Sequence, residues 1–202
     1  MASKPQYLLS IDPGLSSGVA LFQYSDIDPA NLVEKWQITG GIDGFLEWLE
    51  PHYMYPDHEY VLGGAEMGFE GCSWREIGGE TLAVTVEKFT PRQALTLDAA
   101  EPMLIEGALI ALGIVPKYTP PKHPNWAQPS AQYFAGGKTL PEKKKRQHKW
   151  LKDWGFYVTG KDVGCKDADD VRSAISHGLA WFRRQKHMPT IQQYFGRSDD
   201  EA

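Results

Sequence analysis

Tyr7-Leu8-Leu9-Ser10-Ile11-Asp12-Pro13-Gly14 is a mostly apolar run that ends on a carboxylate and the turn pair Pro-Gly. It reads as a strand with an acidic end. Gly18-Val19-Ala20-Leu21-Phe22 follows a short Gly/Ser turn as a second strand. Alternation over 32–38 predicts a third, so the opening is a three-stranded meander. Phe45, Leu46, Trp48 and Leu49 predict a short helix that stops before Pro51. Residues 59–66 predict a fourth strand, whose terminal Glu66 meets a Gly-rich loop at 68–71. Residues 81–89 fit a strand or a helix equally. Residues 102–112 predict an apolar helix with Pro at its start and Gly113 past its end, and 114–118 a fifth strand. Residues 119–141 hold five of the 14 prolines and read as a long surface loop. A basic helix is predicted over 142–154, with Trp150, Leu151 and Trp154 inward. Another is predicted over 167–184, with Val171, Ala174, Ile175, Gly178, Leu179 and Phe182 on one face. A meander followed by strand, helix, strand and helices predicts an α/β fold with a mixed sheet.

Composition bounds the function classes. The 202 residues, 42% hydrophobic and 23% charged, describe one globular domain over 1–202. Its ordered core is expected at about 7–184, ahead of an acidic tail at about 197–202. No apolar run approaches the roughly 18 residues of a membrane span. Met1 to Gln6 lead into the first strand without a signal-peptide core. Cys72 and Cys165 are far apart and in no metal or redox spacing, which excludes a disulfide scaffold and fits the cytoplasm. A net charge of −5 argues against a broadly basic nucleic-acid coat. Between Lys138 and Lys152, however, seven basic residues face one acid, Glu142.

Three acidic positions are structurally odd. Asp12 and Glu66 each end an apolar strand, and Asp167, Asp169 and Asp170 open an apolar helix. Singly, each has a plain structural role: Asp-Pro-Gly is a favoured turn, Glu66 a solvated strand end, and acids at a helix start complement its dipole. Together, on neighbouring strands and a helix packed over them, they predict a shared divalent cation, because close carboxylates repel strongly at low dielectric. An oxygen-only donor set suits Mg²⁺ or Mn²⁺, and two such ions support phosphodiester hydrolysis. Two bound ions also reduce the net charge to about −1, easing approach to a polyanion.

These residues resemble the RuvC-type Holliday junction resolvases of the RNase H-like nuclease superfamily. The similarity runs through Leu9-Ser10-Ile11-Asp12-Pro13-Gly14 and Ser17-Gly18-Val19-Ala20, then Ala65-Glu66-Met67-Gly68-Phe69. It closes at Lys166-Asp167-Ala168-Asp169-Asp170-Val171 and on to Ala174-Ile175-Ser176-His177. The resemblance implies an RNase H-like fold with a five-stranded mixed sheet flanked by helices, and a homodimer that nicks four-way junctions with two Mg²⁺ or Mn²⁺ ions per site. It makes Asp12, Glu66, Asp167 and Asp170 the catalytic metal ligands, with Asp169 as substitute: an Asp-x-x-Asp spacing selects Asp167 and Asp170, which share a helix face, whereas gapless alignment to His177 selects Asp169. His177 itself is read as a buried helical histidine satisfied by a neighbour. Phe69 takes the place of an aromatic that stacks on an opened base, and Trp74 lies nearby in sequence. Lys138, Lys143, Lys144, Lys145, Arg146 and Lys149 are candidates for contacting DNA phosphates.

Other functions are a nuclease on forks, flaps or RNA ends, or a non-catalytic protein that binds branched DNA. A kinase or ATPase would need a second phosphate loop and an adenosine site, and neither is found, so no nucleotide cofactor is expected.

Overall fold

A computed structural model gives the fold and describes residues 5–53, 82–88, 97–115, 126–127 and 138–196. Strand β1 (Gln6–Asp12) pairs antiparallel with β2 (Ser16–Tyr24), and β2 with β3 (Asn31–Thr39), as the meander required. Helix α1 (Gly41–Tyr53) follows and runs on through Pro51 rather than stopping before it.

On its other side β1 pairs in parallel with β4 (Leu82–Glu87). Within the ambiguous stretch 81–89, Leu82–Glu87 is therefore the strand beside β1. The neighbours of β1 are β2 and β4; the strand expected at 59–66 lies outside the described residues. Helix α2 (Leu97–Ala111) begins five residues before the expected proline, and Pro102 is buried inside it. Of the fifth strand expected at 114–118, residues 114–115 form a bend, and 116–118 lie outside the described residues. Strand β5 (Trp126–Ala127) instead arises within the predicted surface loop and pairs in parallel with the end of β4. The order is β3-β2-β1-β4-β5. Among the described residues the mixed sheet thus has four full strands and a two-residue edge pairing, where five full strands were expected.

Helix α3 (Leu140–Asp153) starts with a capping box. Glu142 N–H donates to Thr139 Oγ1, and the Glu142 carboxylate accepts from Thr139 N–H. Its inward residues are Gln147 and Leu151; Trp150 and Trp154 are only half-buried. Helix α4 (Asp169–Arg184) begins two residues later than predicted, with Ala168 as its N-cap. The chain then folds back in a short turn, α5 (Met188–Thr190), where Thr190 Oγ1 accepts from Ala30 N–H at 2.8 Å. Among the described residues no helix is long and apolar enough to cross a membrane.

The twofold period of the strands sorts their side chains between two layers. Leu9 and Ile11 of β1, with Val84 and Val86 of β4, pack under α1 and α2 against Phe45, Leu49, Ile105 and Leu109. Leu8 and Phe22 face α4 and meet Val171, Ile175, Leu179 and Phe182. Each fully buried large apolar side chain contributes about 1.5–3 kcal/mol, so this face holds α4 firmly. Ser10, buried on the α4 side, donates to Ala174 O at 2.7 Å. A side chain at Gly178 would collide with the Phe22 ring, so α4 approaches as closely as it does only with glycine there.

Candidate metal centre

Asp12 lies two residues beyond Ser10 and four beyond Leu8, so strand alternation turns it toward α4. Glu87 relates to Ala83, which packs on the same side, in the same way. The parallel register, which pairs Ile11 with Val86, brings Asp12 and Glu87 level at the carboxyl ends of neighbouring strands. His177 lies on the buried face of α4, fully enclosed. Its Nε2 is 3.0 Å from Glu87 Oε2 and 3.8 Å from Asp12 Oδ1. One donor atom from each of the three lies within 4.8 Å of the others.

Electrostatics bind the group together. Burial pushes Asp12 up to about 7; the nearby His177 opposes this, and the adjoining Glu87 reinforces it. Burial also favours the neutral form of Glu87, but hydrogen bonds from His177 and Asp12 overcome it and bring the group down to about 2. Burial works against charge on His177, yet its hydrogen bond to Glu87 and the two nearby carboxyls raise it to about 9. Without a metal, these shifts favour the protonated form of His177 beside the two acids.

The three aspartates near the start of α4 separate. Asp167 precedes the helix, so it shares no helix face with Asp170. Its Oδ1 accepts from Ala168 N–H and from Arg172, both at 2.7 Å, with its side chain largely exposed. Asp169 turns toward α3, where it pairs with Lys144 at 3.2 Å, with Arg172, and with His148 at 3.6 Å. Hydrogen bonds from Arg172 and Lys144 hold its carboxyl below the usual range despite partial burial. Asp170 alone docks on the sheet: its Oδ2 accepts from Gln37 Nε2 at 2.8 Å. Gln37, Gly18 and Asp12 form one row across β3, β2 and β1. A side chain at Gly18 would strike the Asp170 backbone, so this glycine lets the first turn of α4 settle on the row.

The donor set fits a divalent cation: two carboxylates and an imidazole nitrogen converge at a strand end, with the acids partly open to solvent. It is not the oxygen-only set predicted, because His177 belongs to it. The place beside Asp12 expected for Glu66 is held by Glu87; Glu66, Phe69 and Trp74 lie outside the described residues. Two signals pointed to Glu87: the β-branched run Val84-Thr85-Val86, and a charge placed where an apolar strand stops.

Of the predicted phosphate contacts, Lys138, Lys144, Lys145, Arg146 and Lys149 line one groove along α3 with His148 and Lys152. Lys143 does not line it. Lys152 lies 4.6 Å from the centre of the Tyr157 ring, and Arg172 5.3 Å from it. Lys144 joins this basic surface to α4 through Asp169.

No protein-family model matches the chain, and no curated protein matches it. Among solved structures, T. thermophilus RuvC in complex with Holliday junction substrate is similar at a TM-score of 0.43 and 14% identity, over 90% of this chain and 97% of that one.

Proposed function

We propose that this protein is a divalent-metal-dependent, structure-selective endonuclease with an RNase H-like fold that nicks four-way DNA junctions. The observation that carries this reading is the convergence of Asp12, Glu87 and His177 at the ends of two parallel strands, under a helix whose first turn brings Asp170 to the same row. Sequence similarity to the junction resolvases at 9–14, 17–20 and 166–177 supports it, as does the basic groove on α3.

Asp12 and Glu87 would hold Mg²⁺ or Mn²⁺, two ions in the full site, with Asp170 as the α4 ligand. Bound metal supplies an activated water and charge stabilisation at the phosphorus and the leaving oxygen. The chain's own residues do the rest. His177 holds the Glu87 carboxylate at the strand end through its 3.0 Å contact. Lys138, Lys145 and Lys149 attract the phosphate backbone by charge and set its register, which selects by shape rather than by sequence. A homodimer in the cytoplasm would offer two such centres, related by twofold symmetry, to opposite strands of a junction.

The test is cleavage of a synthetic four-way junction with Mg²⁺ or Mn²⁺, beside fork, flap, RNA-ended and single-stranded substrates. Paired nicks in the junction, lost in Asp12→Asn and Glu87→Gln, support the assignment. Undiminished cutting by either variant refutes it. Faster cutting of a fork or flap keeps the nuclease and moves the substrate.

A further inference from the structure

We propose that His177 is a nitrogen donor to the metal, so that the centre takes Mn²⁺ or a later first-row divalent ion in preference to Mg²⁺. This rests on the metal-centre reading above and narrows the ion. Three observations carry it. The Nε2 atom is 3.0 Å from a Glu87 oxygen and 3.8 Å from an Asp12 oxygen. Both separations fall within the roughly 4.2 Å span across an ion with bonds of about 2.1 Å. The imidazole is fully enclosed on the sheet-facing side of α4, so it is already aimed at the acids. The donor that lies within 4.8 Å of both strand-end carboxylates, among the described residues, is this nitrogen.

Donor chemistry then decides the ion. Mg²⁺ demands oxygen ligands in near-ideal octahedral geometry and gives up water reluctantly. Imidazole favours the transition ions, with affinity rising from Mn²⁺ through Co²⁺. A set that includes an imidazole therefore discriminates where carboxylates alone would not.

The experiment uses the full chain and Mn²⁺ itself. Mn²⁺ affinity is measured by electron paramagnetic resonance, and ligand nitrogen by pulsed methods, in protein carrying ¹⁴N- or ¹⁵N-histidine. The expected result is bound Mn²⁺ with histidine nitrogen coupling that changes with the isotope. Mg²⁺ should compete only at about tenfold or greater excess. His177→Gln should abolish the coupling and narrow the Mn²⁺ over Mg²⁺ preference. Mn²⁺ that binds in an Asp12-dependent way without nitrogen coupling overturns the proposal and leaves the nuclease reading standing. Coupling that survives in His177→Gln or Asp12→Asn places the nitrogen elsewhere and overturns it as well. No Mn²⁺ binding at all overturns both readings. If His177→Gln does not fold, the isotope-labelled native protein decides alone.

Discussion

His177 Nε2 lies 3.0 Å from Glu87 Oε2, joining residues 90 apart in the chain where α4 crosses the end of β4. The contact locks the carboxylate of one strand to the helix that covers it. Asp12 Oδ1 stands 3.8 Å from the same nitrogen, so one buried imidazole spans both acids.

Glu87→Gln should reduce junction cleavage by more than about 100-fold, since even partners behind a metal ligand commonly carry 10–100-fold. Asp12→Asn should do the same. Both proteins should keep the native circular dichroism spectrum, because neither side chain fills the apolar core. Glu66→Gln, assayed in parallel, shows which of the two glutamates matters: the larger loss is expected at Glu87.

Asp170 and Asp169 should fail differently. Asp170→Asn should weaken metal binding in calorimetry with little change in thermal stability. Asp169→Asn should leave metal binding nearly intact but cost about 1–3 kcal/mol in urea unfolding, because Arg172 is buried and loses a charged acceptor.

Gly18→Ala should destabilise the fold by about 1–3 kcal/mol, the usual range for overpacking. The new methyl would meet the Asp170 backbone and lift the first turn of α4 from the row shared with Asp12. Metal affinity should fall with stability, a pairing that unfolding and calorimetry on the same preparation would reveal.

The metal-free protein should lose stability as pH rises above neutrality. His177, raised from 6.5 to about 9, stabilises fully below 6.5, and that contribution is lost as pH climbs through 9. Asp12, raised from 3.8 to about 7, adds to the same decline as it gives up its proton. Glu87 acts in the opposite sense: lowered from 4.5 to about 2, it stabilises above 4.5 and is lost as pH falls through 2. Melting in chelator should therefore be highest at mildly acidic pH and fall toward pH 9. Divalent-ion affinity should rise over the same interval, because cation and protons compete for one set of atoms.

Lys145→Ala with Lys149→Ala should weaken junction binding similarly for all sequences. For every phosphate that a removed lysine no longer neutralises, the slope of log affinity against log salt should flatten by about 0.9. Lys143→Ala, outside the groove, should change both less. Binding titrations at several salt concentrations measure this.

The local pattern was enough to place β1, β2 and β3, the basic helix and the apolar face of α4, since periodicity and turn chemistry act over a few residues. It also marked Asp12, because a carboxylate at the end of an apolar strand is conspicuous wherever the strand packs. Strand adjacency is a long-range property. Residues 59–66 and 81–89 both end or pass through an acid after apolar residues, and only the pairing of β4 with β1 selected Glu87. Likewise the spacing of Asp167, Asp169 and Asp170 left their roles open. Where α4 starts, and what Gln37, Lys144 and Arg172 offer, sent each in its own direction. Local residue patterns specified an acidic strand end and an amphipathic helix; packing across the sheet determined which acids and which histidine meet.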